Sequence, residues 1–206
     1  MSAAELETHL LPAALPNGWT SHPDSQDTET GSSTGAAAPF PACDVQYGSD
    51  VVEEATGPSI ASVTADFQGR RPSGGGTIAA GETLYSFAGN GAHQAMQAIR
   101  TVVSKCSPVI RHNGSISTYT FAITPGPHLG DESLVVRAEV KHSNFPGIIQ
   151  YTDATVVRVG STLIEIGAAP MSRPEVDAME SLMPSAVAQV ASAHPKPVGA
   201  PGPGFP

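Results

Sequence analysis

Apolar and polar residues alternate through much of the stretch 119–166, and this pattern constrains the fold more than any other feature of the chain. Apolar residues at every second position predict β-strands with one buried face. Short turns at 125–127, 144–147 and 160–161 separate the strands. Strands joined by such short connections pair antiparallel, because a parallel crossover needs a dozen or more residues. The sequence therefore predicts an antiparallel meander whose apolar face must be covered by something else.

Upstream of the meander, the pattern predicts two more strands and one long helix. Residues 61–68 and 83–87 alternate as strands do. Asn90 is a candidate N-cap for a helix whose apolar stripe ends at Cys106. Strands in a run with helices to one side are typical of the α+β class. We therefore predict an antiparallel sheet of about five to six strands, with helices packed mainly on one face.

Two capping boxes predict helices near the ends of the chain. Ser2 with Glu5, and Ser172 with Glu175, have the spacing at which a side chain and a backbone amide satisfy each other at a helix start. The second helix should be kinked or interrupted at Pro184, because proline cannot donate the helical hydrogen bond.

Composition divides the chain into four parts. Residues 1–20 should form a helix and turn that pack on the domain, with Trp19 as a core anchor. Residues 21–42 are Ser, Thr, Gly, Ala, Pro and acids without periodicity, which predicts a disordered linker. Residues 43–194 should form the α+β domain, and residues 195–206 a disordered Pro/Gly tail.

The charge of the chain excludes some classes of partner. Ten basic and 19 acidic residues give a formal net charge of −9 among 206 residues. Phosphate binding needs a basic surface, so nucleic acid is not an expected partner. A membrane span is not expected either, because no run of 18 apolar residues occurs. The sequence also shows no signal peptide, and we expect a monomer.

The chain has two cysteines, Cys43 and Cys106, and neither belongs to a C-x-x-C pair. Two cysteines cannot form a zinc site unaided. We predict a disulfide between them, which would imply an oxidising compartment. The alternatives are two buried free thiols, which would favour the cytoplasm, and a catalytic cysteine. A helix C-terminus raises the pKa of a thiol, which disfavours catalysis by Cys106.

Motifs that carry chemistry are sparse, and we expect no cofactor and no metal. The seven histidines show no metal-binding spacing. The segment 128–132 is the densest polar cluster, and His128, Asp131 and Glu132 are its candidate catalytic residues. The favoured interpretation is a Gly-Asp turn whose carboxylate caps local backbone amides.

Short motifs in a fixed order resemble a known family. They include residues 15–19 (LPNGW), 129–133 (LGDES) and 157–160 (VRVG), together with the positions of Cys43 and Cys106. The chain resembles the actinobacterial sensor-domain lipoproteins, which are similar to the extracellular sensor domain of mycobacterial serine/threonine kinase H. The resemblance implies helices packed on an antiparallel sheet, a ligand-sized cleft, display outside the cytoplasmic membrane and no catalytic residues. The family's kinase sensor domains carry two disulfides, whereas this chain can form one.

The resemblance and the residues together support three hypotheses for function. The first is a non-enzymatic, extracytoplasmic sensor module that holds a small apolar ligand in a hydrophobic cleft. The second is a biosynthetic enzyme or cyclase that uses the same cleft for an apolar substrate, and the third is a lipid carrier. Two or more ionisable side chains converging in the cleft would favour the enzyme.

Overall fold

The computed structural model describes residues 1–12, 15, 18–21, 27–29, 42–57, 59–112, 115–168 and 172–193. These residues form one antiparallel sheet with helices on both faces. The strands are β1 (Thr20–Ser21), β2 (Asp27–Glu29), β3 (Ala61–Arg70), β4 (Thr77–Ser86), β5 (Val109–His112), β6 (Ile116–Pro125), β7 (Glu132–His142), β8 (Ile149–Tyr151), β9 (Ala154–Val159) and β10 (Thr162–Ala168). The helices are α1 (Ala3–Glu7), α2 (Gly48–Thr56), α3 (Gly91–Cys106), α4 (Arg173–Glu180) and α5 (Met183–Ala193).

The strand order is β1-β3-β4-β10-β9-β7-β6-β5, so the last strand in sequence lies in the middle of the sheet. β2 pairs with β3, and β8 pairs with β7 beside β9. All pairings are antiparallel across the described residues. The α+β class and the antiparallel meander predicted from the alternation are therefore confirmed, with ten strands in place of five to six.

Adjacent residues of the central strands face two separate cores. Leu163 and Val156 belong to the core beneath α2 and α3, and we call this side the α2–α3 face. Ile164 and Val157 belong to the core beneath α1, α4 and α5, which we call the α4–α5 face. The expectation of helices mainly on one face was wrong, because β9 and β10 are buried on both sides and carry apolar residues at consecutive positions.

A disulfide between Cys43 and Cys106 closes the α2–α3 face, with 5.2 Å between the two Cα atoms. It joins the segment before α2 to the end of α3, and the two helices pack on each other. Closing a loop of 63 residues stabilises a fold by roughly 4 kcal/mol on the chain-entropy estimate. The predicted disulfide is confirmed, and the alternative of two free thiols is wrong.

Two segments differ from the sequence prediction. α2 was missed because its acidic residues obscured the apolar stripe of Val51, Val52 and Ala55, which is buried. Within the predicted linker 21–42, Asp27–Glu29 pairs with Ser62–Thr64 of β3. Pairing at a sheet edge uses backbone groups and needs no apolar side chain, which is why composition gave no sign of it. The rest of that segment, apart from Ser21 and Ala42, and all of 195–206 lie outside the described residues.

The N-terminal segment packs on β3 and β4 of the α4–α5 face. Ser2 and Glu5 form the predicted capping box at the start of α1. Trp19 is buried, as predicted. A Cβ at Gly69 would come within 2.6 Å of the Trp19 ring, so the indole lies directly on a strand backbone that only glycine leaves free.

Two buried carboxyl groups lie on opposite faces of the sheet centre. Burial raises the pKa of Glu82 to about 7, although its Oε2 accepts a hydrogen bond of 2.8 Å from the Leu11 amide. Burial likewise raises the pKa of Glu165 to about 8, and its Oε2 accepts from the Tyr85 hydroxyl at 3.0 Å. Because the charged form is disfavoured in the folded state, both groups make stability fall as pH rises.

Replacing Glu82 with Gln should remove this pH dependence at one of the two sites. The contribution of a carboxyl with a raised pKa is fully present below about pH 4.5 and is lost as pH rises through about 7. The unfolding free energy of Glu82→Gln minus that of the wild type should therefore increase by about 3 kcal/mol between about pH 5 and about pH 9. Urea denaturation at both pH values measures it, and parallel pH profiles for the two proteins would contradict the prediction.

Candidate functional site

A cleft of about 310 Å³ lies on the α4–α5 face, at the boundary beyond which the helices no longer cover strands β6 and β7. Its floor is formed by strand residues and its rim by the turn after β6 and the junction between α4 and α5. Its size is at the lower end of the range for small-molecule sites. The lining residues are Thr124, Pro125, Gly126, Pro127, Val135, Arg137, Thr155, Glu180 and Pro184.

The turn after β6 forms a fixed wall of this cleft. Gly126 lies against β7, and a Cβ there would come within 2.6 Å of the Leu134 nitrogen. The Ser133 hydroxyl donates to the Pro127 carbonyl across the same turn. Two prolines restrict the backbone further, because their φ angles are fixed. The wall is thus preformed and largely apolar.

Two buried polar atoms at the cleft have no hydrogen-bond partner among the described residues: Thr155 Oγ1 and Glu180 Oε1. Thr155 is 1% exposed and lies in β9 between two buried apolar residues. A buried hydroxyl without a partner costs about 1 to 3 kcal/mol. Polar groups left in this condition next to a cavity are what a ligand would satisfy.

Arg137 supplies a cation at the same cleft and is held by a buried carboxylate. Asp153 is fully buried and accepts from the Arg137 Nε at 3.3 Å, from the Arg173 guanidinium at 2.7 Å and from the Ala138 amide at 3.0 Å. Arg173 also lies over the Tyr151 ring at 5.5 Å. One anion therefore fixes a cleft residue of β7 and the first residue of α4 together.

Glu180 is the carboxyl group of the cleft. Desolvation raises its pKa, the nearby guanidinium of Arg173 opposes the shift, and the charges of Asp153 and Asp177 add to it. Its Oε1 is 3.7 Å from Arg173, beyond hydrogen-bond distance. The Glu180 side chain is therefore a carboxyl group with a raised pKa, beside a cavity, whose Oε1 is not fixed by a hydrogen bond.

The predicted cluster His128, Asp131 and Glu132 lines a shallower groove of about 390 Å³ that shares Pro125 and Gly126 with the cleft. The absence of catalytic residues among the three stays a prediction.

Asp131 and Glu132 are each occupied by structural partners. The Asp131 carboxylate accepts from the Gly160 amide at 2.8 Å and from Arg158 at 3.3 Å, which ties its loop to the β9–β10 turn. Desolvation would raise the pKa of Glu132, but the side chains of Arg100 and His93 outweigh it and lower the pKa. These are the contacts of a turn and an ion-pair network.

Sequence reasoning missed Arg137, Thr155 and Glu180 as cleft residues. A signal existed for Thr155, because it interrupts a run of apolar residues in a strand buried on both faces. Arg137 lies in a strand and pairs with Asp153, which gives no sign of a ligand site in the sequence. No signal could identify Glu180, because its position at the cleft depends on how α4 meets α5.

The described residues also bear on metal sites and membrane spans. No group of three or more His, Cys, Asp or Glu side chains is placed to hold a metal ion in the described ranges. Within those ranges, too, none of the helices has the length and apolar character that crossing a membrane requires.

Replacing Asp131 with Ala should lower the unfolding free energy by about 1 kcal/mol, the usual scale for a lost local cap. Asp131→Asn should lose less, because its amide oxygen can still accept from the Gly160 amide. Thermal and urea denaturation measure both effects. Ligand occupancy of the folded protein should stay at the wild-type level, and a folded Asp131→Asn protein that had lost a measurable activity would contradict this assignment.

Comparison with known proteins gives one match in fold. No protein-family model and no curated protein matches the chain. The crystal structure of the extracellular domain of PknH from Mycobacterium tuberculosis is similar, with a TM-score of 0.58 and 13% sequence identity. The match covers 93% of this chain and 97% of that chain. The resemblance inferred from short motifs is thereby confirmed at the level of the fold.

Proposed function

We propose that this chain is an extracytoplasmic, non-enzymatic module that binds a small ligand in the cleft beside Thr155. The observation that carries the proposal is the buried hydroxyl of Thr155, which lacks a protein partner and belongs to a residue that lines a preformed cavity. The similarity in fold to the extracellular domain of PknH supports a sensor role. The disulfide supports a location in an oxidising compartment.

The cleft chemistry favours an amphipathic ligand with one polar end. Arg137 and Thr155 offer donors on the floor, while Val135 and the prolines of the rim offer apolar contact. A ligand whose acceptor meets Arg137 and Thr155 would satisfy the unpartnered hydroxyl, and its apolar part would lie along the Pro125–Pro127 turn. The volume suits a small molecule better than a lipid, which weighs against the carrier hypothesis.

The second candidate is an enzyme that uses Glu180 as a general acid. Two ionisable side chains, Arg137 and Glu180, line the cleft, and desolvation raises the pKa of the carboxyl. A raised pKa is what a general acid needs near neutral pH. Against it, the lining residues that the structure describes include no Cys, Lys or His, and Arg137 is already paired with Asp153. Binding is therefore the first proposal.

Thr155→Val tests the binding proposal by removing one hydroxyl at nearly constant shape. Without ligand, the variant should be about 1 kcal/mol more stable, because an unsatisfied buried polar group is lost. Its affinity for the small molecule that co-purifies with the wild type, identified by native mass spectrometry, should fall about tenfold. Thr120→Val, on an exposed position of the same face, is the matched control. A wild type that carries no ligand, or equal affinities, would contradict the proposal.

Glu180→Gln separates the two candidates. If the cleft only binds, the variant should keep its ligand with an affinity within about threefold of the wild type, because the amide retains hydrogen-bonding capacity. The co-purified molecule should also be recovered chemically unchanged after incubation with the wild type. Conversion of that molecule by the wild type, abolished in folded Glu180→Gln, would promote the enzyme.

A further inference from the structure

Large apolar side chains that are exposed to solvent are concentrated at one end of the sheet. Seven occur among the described residues, and five of them lie in or beside two neighbouring strand connections. Single exposed apolar residues are ordinary, whereas a contiguous group marks an interaction site. We call the five the apolar corner: Ile110 (57% exposed), Ile116 (45%), Phe145 (60%), Ile148 (56%) and Ile149 (39%).

Strand register brings the corner together. Ile110 is opposite Thr118, Thr118 is opposite Lys141, and Lys141 is opposite Ile149. Directly paired residues lie on the same side of a sheet, so these four form one row across β5, β6, β7 and β8. Ile116 is two residues from Thr118 and lies on the same side, nearer the end of the sheet.

The tip beside this row is the connection between β7 and β8, and backbone amides in and next to it are hydrogen-bonded within the protein. The Ser143 amide donates to the Ile116 carbonyl at 2.8 Å, and the Ser143 hydroxyl accepts from the Ile116 amide at 3.1 Å. The Phe145 amide donates to the His142 carbonyl, and the Ile148 amide to the Phe145 carbonyl, both at 3.1 Å. Groups that enter hydrocarbon must be paired internally, because no water is available there. The tip meets this requirement at these four amides.

Charge distinguishes the corner from the rest of the molecule. The whole chain has a formal charge of −9. Residues 107–130 and 140–152, which contain the β5–β6 and β7–β8 connections, nevertheless include no Asp or Glu. The exposed Lys141 lies in the middle of the row. Anionic lipid surfaces attract such a lysine and repel carboxylates. The neighbouring acids are each paired with a cation: Glu139 with Lys141 at 3.7 Å, and Asp44 with Arg111.

We propose that the apolar corner is a membrane-contact surface, by which the domain rests on a lipid bilayer that contains anionic headgroups. Phe145 and Ile148 enter the boundary between headgroups and acyl chains, and Lys141 faces lipid phosphate. A lysine stem can lie along apolar surface while its ammonium stays among headgroups. Internally paired amides and the lack of Asp and Glu within residues 140–152 fit lipid better than a water-rich protein interface. The proposal does not depend on the ligand in the cleft.

Vesicle flotation of the full chain tests this surface. The wild type should bind vesicles of phosphatidylcholine mixed with phosphatidylglycerol, and bind pure phosphatidylcholine vesicles more weakly. Phe145→Ser combined with Ile148→Ser should lower the affinity about tenfold or more, because two large apolar groups no longer leave water. Ile60→Ser is the matched control, since Ile60 is 47% exposed and lies outside the corner, and it should bind like the wild type.

Lys141→Gln should weaken binding to the mixed vesicles and leave binding to pure phosphatidylcholine unchanged. Circular dichroism checks that each variant is folded. A wild type that binds neither vesicle, or a double variant that binds as tightly as Ile60→Ser, overturns the proposal. Sedimentation that finds a wild-type dimer, a monomeric double variant and no vesicle binding would assign the corner to contact between two copies and also overturn it.

Discussion

The pairing of β10 with β4 on one side and with β9 on the other holds the two halves of this molecule together. β1, β2, β3 and β4 come from the first part of the chain, and β5, β6, β7, β8 and β9 from the second. β10 closes the gap between them through two antiparallel ladders. Its Leu163 and Ile164 belong to opposite cores, so a single strand packs against both helical layers. Thr155 of the cleft lies on β9, the strand that pairs with β10.

The sequence was sufficient for most strands and most helices because their burial is periodic. The alternation in residues 119–166 identified β6, β7, β8, β9 and β10, and the apolar stripe after Asn90 identified α3. The large apolar area of its ring placed Trp19 in the core. These features are local, since each depends on neighbours within one element. Two-sided burial of β9 could have been inferred from its consecutive apolar residues, but the side that each helix covers depends on distant packing.

The cleft could not be predicted for the same reason. Thr155, Arg137 and Glu180 come from a central strand, from its neighbour and from the end of a helix, and no spacing in the sequence relates them. The polar cluster at 128–132 was conspicuous because its residues are consecutive. In the structure, Asp131 contacts the Gly160 amide and Arg158, and Glu132 pairs with Arg100 and His93. The consecutive polar residues at 128–132 form a turn, whereas polar residues that stand alone in apolar strands line the cavity.

Asp153 has a consequence for how a bound ligand could be reported to the rest of the molecule. The same carboxylate binds Arg137 at the cleft and Arg173 at the start of α4. A ligand that draws the Arg137 guanidinium toward itself would weaken the ion pair between Arg137 and Asp153. The ion pair between Asp153 and Arg173 would then change in strength, and with it the attachment of the start of α4. Linkage is reciprocal, so any event that loosens α4 must alter the affinity of the cleft by the same factor. If the cleft binds a ligand as proposed, the buried aspartate is the contact that would couple the cleft floor to the outer helix α4.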